Sequence, residues 1–318
     1  MSKIVFLDRG TISRDVEIPP PSFAHTWHEF ERSTPHQVIE RLQSAGIAIT
    51  NKVPIQAVHM QALPDLALIA VIATGTNIVD LEAAKGHGIS VCHVPGYAEI
   101  SVAEHTLALM LSLRRNLFEY REQVLAGAWQ DSGQFCFFNR PILELSGSVL
   151  GLIGTGAIAQ SVAARARAFG MKVMFHSPSG RTDIETIETV ALEALLAESD
   201  IVSCHTPLSA RTYGLISEAQ FRMMKPSAIL INTARGEIID GDALCRAIEE
   251  GWIAGAGIDV APVEPPPADA PLMRISGHPN VIVTPHVAFA GLDTQRNLCR
   301  MTVENIEAFA RGQAVNLV

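Results

Sequence analysis

The sequence predicts an α/β protein of two domains, each built on a parallel sheet. Three observations predict it. The chain has 318 residues, a length that suits about two domains. Hydrophobic residues make up 48% and charged residues 18%, so a large core can form and a disordered chain is excluded. Short apolar runs alternate with helical patterns along most of the chain, which is the signature of strands joined by crossover helices.

The N-terminal part has strand patterns at Lys3–Leu7, Ile47–Thr50, Leu66–Ile72 and Ser90–His93. Helical patterns lie between them at His36–Ser44, Ile55–Ala62 and Val79–His87. Pro19-Pro20-Pro21 must be a loop, because proline lacks the amide proton that both regular structures need. A long helix is expected from Ser101 to about Arg121, with Val102, His105, Leu109 and Leu113 near one face. Gly127–Leu145 reads as irregular and aromatic (Trp129, Phe135, Phe137, Phe138), which fits a buried loop, a partner surface or both.

A second β/α series follows. Its strands are expected at Ser148–Ile153, Lys172–Phe175, Asp200–Cys204, Ala228–Asn232, Ala256–Val260 and Val281–Thr284. Its helices are expected at Ala157–Phe169, Leu192–Ala197, Glu218–Met223 and Asp242–Glu250. Six strands with crossovers make a doubly wound sheet. The amphipathic helix Leu292–Arg311 comes after that sheet is complete, so it is expected to return to the first domain. The expected division is therefore 1–100 plus 290–318, and 101–289.

Several classes are disfavoured. The net charge of −9 lacks the basic surplus of a nucleic-acid binder, although a pocket can still be locally positive. No apolar run approaches the roughly 18 residues of a membrane span. Ile4–Leu7 is cut off by Asp8 and Arg9 and is too short for a signal-peptide core. The five cysteines are odd in number and lack C-x-x-C spacing, which argues against disulfides and zinc and leaves the cytoplasm as the default location. No histidine pair has metal-ligand spacing, so no metal is expected. His93, His105 and His205 read as core groups, His25, His28 and His36 as surface or loop, and Arg114-Arg115 as solvated charges.

The segment Ser148–Ala159 reads as strand, tight turn, helix. Gly154 permits the turn, and Gly156, lacking a Cβ, lets a pyrophosphate approach the amides at the start of the helix, around Ala157 and Ile158. Ala159 fills the third position of the G-x-G-x-x-A pattern, where helix meets strand. A dinucleotide is therefore expected. At the end of the next strand an NAD site usually carries an acid for the ribose hydroxyls, but Ser177 stands there. Ser177, Ser179 and Arg181 are possible donors to a 2′-phosphate, which favours NADP(H) over NAD(H). A solvated loop around a tolerant NAD site is the alternative.

Three further segments complete the pattern: Ile231-Asn232-Thr233-Ala234-Arg235-Gly236, Gly257–Pro265, and Val283-Thr284-Pro285-His286-Val287-Ala288-Phe289. With the glycine turn they resemble the D-isomer-specific 2-hydroxyacid dehydrogenases over nearly the whole chain. Pro21–Trp27 and Gln134–Phe138 are similar to the glycerate dehydrogenase (hydroxypyruvate reductase) branch. The resemblance implies a nucleotide-binding domain beside a smaller flavodoxin-like substrate domain. It also implies hydride transfer between NAD(P)H and a small 2-oxo acid, from hydroxypyruvate or glyoxylate to D-glycerate or glycolate.

The family's catalytic Arg, Glu and His fall on Arg235, Glu264 and His286. Those residue types suit the chemistry. An imidazole can give a proton near neutral pH, a neighbouring carboxylate favours its cationic form, and a guanidinium grips a carboxylate with a planar fork. Singly, each has an ordinary alternative as a surface or loop residue. The resemblance further implies a substrate loop at Gly75 and Thr76, with the active site between that loop and Arg235, Glu264 and His286. The alternative there is a plain turn capped by Asn77 or Asp80. Cofactor contacts are implied at Ser101, Thr206, Pro207, Thr233 and Asp259; for Asp259 the alternative is a buried acid held by backbone donors. Phe289 stands where some relatives carry tryptophan or glycine, which bears on substrate size. The chain as given carries no added regulatory domain of the long phosphoglycerate dehydrogenases, and no asparagine-rich formate pocket is visible. A homodimer is expected. Rival functions are reduction of a larger sugar acid such as 2-ketogluconate, and cofactor sensing with little turnover.

Overall fold

Strands with apolar residues at every position are buried on both faces, which is the condition of a parallel sheet covered by helices. The structure, a computed structural model, describes residues 2–180 and 187–318. It forms two compact units, Met1–Ala98 with Ala290–Val318, and Glu99–Phe289.

The first unit contains β1 (Ser2–Phe6), β2 (His25–Glu29), α1 (Val38–Leu42), β3 (Ile47–Thr50), α2 (Ala57–Gln61), β4 (Leu68–Val71), α3 (Leu81–Gly86) and β5 (Ser90–Cys92). Its parallel sheet has the order β2-β1-β3-β4-β5, the flavodoxin-like arrangement. The alternation of β1 sends Val5 toward Val38 and Leu42, while Ile4 and Phe6 join the opposite cluster. Asp8, just beyond β1, is buried, and its carboxylate accepts the amides of Asn51, Lys52 and Val53. Burial pushes that carboxyl above its usual range.

The second unit starts with α4 (Glu99–Arg114), α5 (Leu117–Leu125) and α6 (Ala128–Ser132). Then come β6 (Val149–Ile153), α7 (Ala157–Ala168), β7 (Lys172–His176), α8 (Leu192–Glu198), β8 (Ile201–Cys204), α9 (Glu218–Met223), β9 (Ile229–Asn232), α10 (Gly241–Glu249), β10 (Gly255–Ile258), α11 (Pro271–Ile275) and β11 (Val281–Val283). The sheet order is β11-β10-β9-β8-β6-β7, all parallel. The chain passes from β6 outward to β7, then returns to β8 on the other side of β6. That reversal opens a crevice at the C-terminal ends of β6 and β8, where doubly wound sheets bind ligands. One face of the sheet is covered by α4 and α7, through Ala103, Leu107 and Met110 with Ala159, Val162 and Ala166. The final helix, α12 (Leu292–Ala310), buries Leu298, Cys299 and Ile306 against Ile4, Phe6, Ile49 and Leu68 of the first unit.

Four expectations are corrected. His25–Glu29 is a strand rather than loop; it lies at the sheet edge and is largely exposed, so it carries no apolar run. The helix expected at Ser101–Arg121 is broken at Asn116, whose φ is +50°, a left-handed turn that asparagine tolerates. Arg114 is buried, not solvated; its Nη2 donates to the Glu144 carbonyl, and burial lowers its pKa. The irregular stretch from Gly127 contains α6, and the stretch between β10 and β11 contains α11, a five-residue helix too short to show a helical period.

Candidate active site

The turn between β6 and α7 explains its own glycines. Gly154 has φ +121°, and a Cβ there would lie 2.2 Å from the His205 carbonyl oxygen, so no larger residue fits. Gly156 caps α7 without a side-chain bond, and a Cβ there would meet nothing within 4 Å. That open space lies before the unsatisfied first amides of a 12-residue helix, at Ala157 and Ile158, where phosphate is favoured by geometry and dipole alike. Ala159 is fully buried between helix and sheet. The residues present therefore fit a dinucleotide pyrophosphate.

Beyond β7, Ser177 Oγ lies 3.2 Å from Ser179 Oγ. Arg181, named from the sequence, and the nearest acid, Asp183, lie outside the described residues. The structure adds Arg211, whose Nη1 donates to the Ser179 carbonyl at 3.2 Å. No local motif marks Arg211, because it follows β8 and reaches this loop only through the fold. Thr206 is buried and Pro207 exposed; a Cβ on Gly154 would come within 3.2 Å of the Thr206 nitrogen. His205 bonds Ser203 at 2.8 Å, and burial pushes its imidazole down to about 4, so it stays neutral near pH 7.

Arg235 follows β9. Asn232, with no exposed surface, donates from Nδ2 to the Arg235 carbonyl at 2.8 Å and accepts from the Ala234 amide at 3.0 Å. This clamp fixes the loop backbone. The guanidinium donates through Nη1 to the Ala234 carbonyl at 2.7 Å. Gly236 is required beside it, since a Cβ would fall 2.1 Å from the Ala261 carbonyl carbon. Thr233 lies 3.2 Å, Oγ to Oγ, from Thr106 of α4.

Glu264, in the loop after β10, accepts the Ala261 amide at Oε1, 3.0 Å away. Its Oε2 lies 2.6 Å from His286 Nδ1. The short contact is that of a charge-assisted bond in which Nδ1 donates, which leaves Nε2 to carry a transferable proton. His286 has φ +53°, an uncommon conformation for a residue with a side chain, and its ring meets Phe289 edge-on at 6.1 Å.

Asp259 is buried, with 1% of its surface exposed. Its carboxylate accepts from Thr284 Oγ1 and from the amides of Val287 and Ala288. Ser101 Oγ donates to the Ala288 carbonyl at 2.7 Å. Gly154, Thr206, Arg235, Glu264 and His286 thus follow β6, β8, β9, β10 and β11 at the C-terminal edge of one sheet. Gly75 and Thr76 belong to the other unit, between β4 and α3, where Asp80 caps α3 by accepting the Ala83 amide. Among the described residues no cluster of three metal-ligating side chains occurs, and no helix is long and apolar enough to cross a membrane.

Residues 107–288 match the family model described as D-isomer specific 2-hydroxyacid dehydrogenase, NAD binding domain. A glycerate dehydrogenase of Methylorubrum extorquens is 45% identical over 320 residues, covering 99% of this chain and 98% of its own. A hydroxypyruvate reductase of Blautia hydrogenotrophica is 34% identical, covering 89% of this chain and 87% of its own. Among solved structures, an acyclic imino acid reductase in complex with NADPH and D-Arg superposes with a TM-score of 0.83 at 29% identity, covering 99% of both chains.

Proposed function

The chain belongs to the D-isomer specific 2-hydroxyacid dehydrogenase family, and from that premise we propose that it reduces hydroxypyruvate and glyoxylate to D-glycerate and glycolate. The observation that carries this reading is the 2.6 Å bond between His286 and Glu264, on loops that end neighbouring strands with Arg235. A bound nicotinamide coenzyme supplies the hydride. His286 gives a proton from Nε2 to the oxygen that gains charge, and the bond from Nδ1 to Glu264 fixes its ring. Arg235 turns from the Ala234 carbonyl to grip the substrate carboxylate and stabilise the growing negative charge. Gly75 and Thr76 of the first unit are proposed as an anion-binding turn whose backbone amides suit a carboxylate.

The coenzyme assignment is NADP(H) before NAD(H). Its support is Ser177 in the usual place of an acid, with Ser179 and Arg211 at the same loop. Ala157, Ile158, Thr206, Pro207 and Thr233 are proposed to line the coenzyme, with Ser101 near the nicotinamide. Asp259 is proposed to act on it indirectly, through the backbone turn that its carboxylate holds. A homodimer is supported by the exposed aromatics of the α5–α6 region, among them Phe135 at 90% and Phe138 at 79% exposure. Five free thiols suit the reducing cytoplasm.

The test is a panel of 2-oxo acids with NADPH and NADH, followed by absorbance. Turnover highest on hydroxypyruvate and glyoxylate supports the reading. Preference for 2-ketogluconate moves the substrate to larger sugar acids. Tight coenzyme binding with no turnover replaces catalysis by sensing.

A further inference from the structure

The imidazole of His105 sits on α4, far in sequence from the β11 loop, yet it joins the hydrogen-bond system that holds that loop. His105 Nε2 lies 3.0 Å from Thr284 Oγ1. Thr284 Oγ1 lies 2.5 Å from Asp259 Oδ1 and donates to it. A hydroxyl has one proton, so the Thr284 oxygen accepts from His105 Nε2–H. The chain is directed: imidazole to hydroxyl to carboxylate. His105 Nε2 is also 3.6 Å from Asp259 Oδ1.

The far end of this chain reaches His286. The Asp259 carboxylate accepts the Val287 and Ala288 amides, each at 2.9 Å, and its peptide carbonyl accepts the His286 amide at 2.7 Å. Three successive amides are therefore held by one residue. They hold His286 at φ +53°, a conformation that persists only where its surroundings impose it. Glu264 comes from a different loop, so its bond to His286 forms only if this turn is correctly placed.

We propose that His105 is a positioning residue for His286, acting through Thr284 and Asp259 on the turn that presents the imidazole to Glu264. The role rests on the reading of His286 as the proton donor. In the alternative, His105 merely fills space on α4, and loss of its donor leaves the reaction unchanged.

The full-length protein is compared with His105→Leu, which removes the donor, and His105→Gln, whose amide N–H replaces it. His105→Leu is expected to lower kcat by about tenfold or more while the coenzyme KM stays within about twofold, since a misplaced reacting group slows chemistry more than binding. His105→Gln is expected to restore kcat to within about threefold of the original. A second readout needs no turnover: diethyl pyrocarbonate labelling of His286, followed by peptide mapping, is expected to be faster in His105→Leu and near the original rate in His105→Gln.

A His105→Leu variant with original kcat and original labelling rate overturns the proposal. So does a folded His105→Gln variant whose kcat lies about tenfold or more below the original, and this comparison with the original protein decides the matter if His105→Leu fails to fold. If the unaltered protein turns over no 2-oxo acid, the functional reading falls, and the labelling of His286 alone decides whether His105 positions it.

Discussion

Ser177 is the residue on which the coenzyme assignment turns. A carboxylate in its place would accept from both ribose hydroxyls and repel a 2′-phosphate. Ser177→Asp is therefore expected to raise the NADH/NADPH ratio of kcat/KM by about tenfold or more, a difference of roughly 1.4 kcal/mol. An unchanged ratio removes the 2′-phosphate argument. Arg235, Glu264 and His286 were legible because each lies in a contiguous motif after a strand. Arg211 and His105 were not. Each works through a partner distant in sequence, Ser179 for Arg211 and Thr284 for His105, and a hydrogen bond between remote segments leaves no local pattern. Asp259 was legible as important, but its main partners are backbone amides, which any sequence would supply.

Elements built on apolar runs were read with small errors at their ends. The strand expected at Ala256–Val260 is observed at Gly255–Ile258, and the helix at Glu218–Met223 is observed at those residues. Failures occurred where burial does not dictate the element. β2 pairs with β1 by backbone bonds and faces mostly outward, so its residues follow no apolar alternation. The break between α4 and α5 depends on one left-handed residue and on the Asn116 side chain bonding the Pro141 carbonyl at 2.7 Å. The turn between β6 and α7 gives a prediction at this scale. Gly154→Ala forces a Cβ onto the His205 carbonyl and a side chain into a positive φ. It is expected to lower stability by about 2 kcal/mol or more and to weaken coenzyme binding at least about tenfold. Thermal unfolding and coenzyme titration measure both, and an unaltered Tm contradicts the assigned turn.

The molecule as a whole leaves a group of apolar side chains on α5, α6 and the loop after them facing outward, including Leu117, Phe118, Leu125, Trp129, Phe135 and Phe138. A patch of this kind on one chain favours association. Sedimentation is expected to give twice 34.3 kDa, and Phe135→Asp with Phe138→Asp to shift it toward 34.3 kDa. An unaltered protein that sediments at 34.3 kDa contradicts the dimer. The measurement closest to the central claim is the single-turnover and steady-state reduction of glyoxylate and hydroxypyruvate by His286→Asn. With Glu264 deprived of its imidazole partner, kcat is expected to fall about 100-fold or more while coenzyme affinity stays within about threefold. A His286→Asn protein that keeps kcat within a few-fold of the original contradicts proton donation by His286.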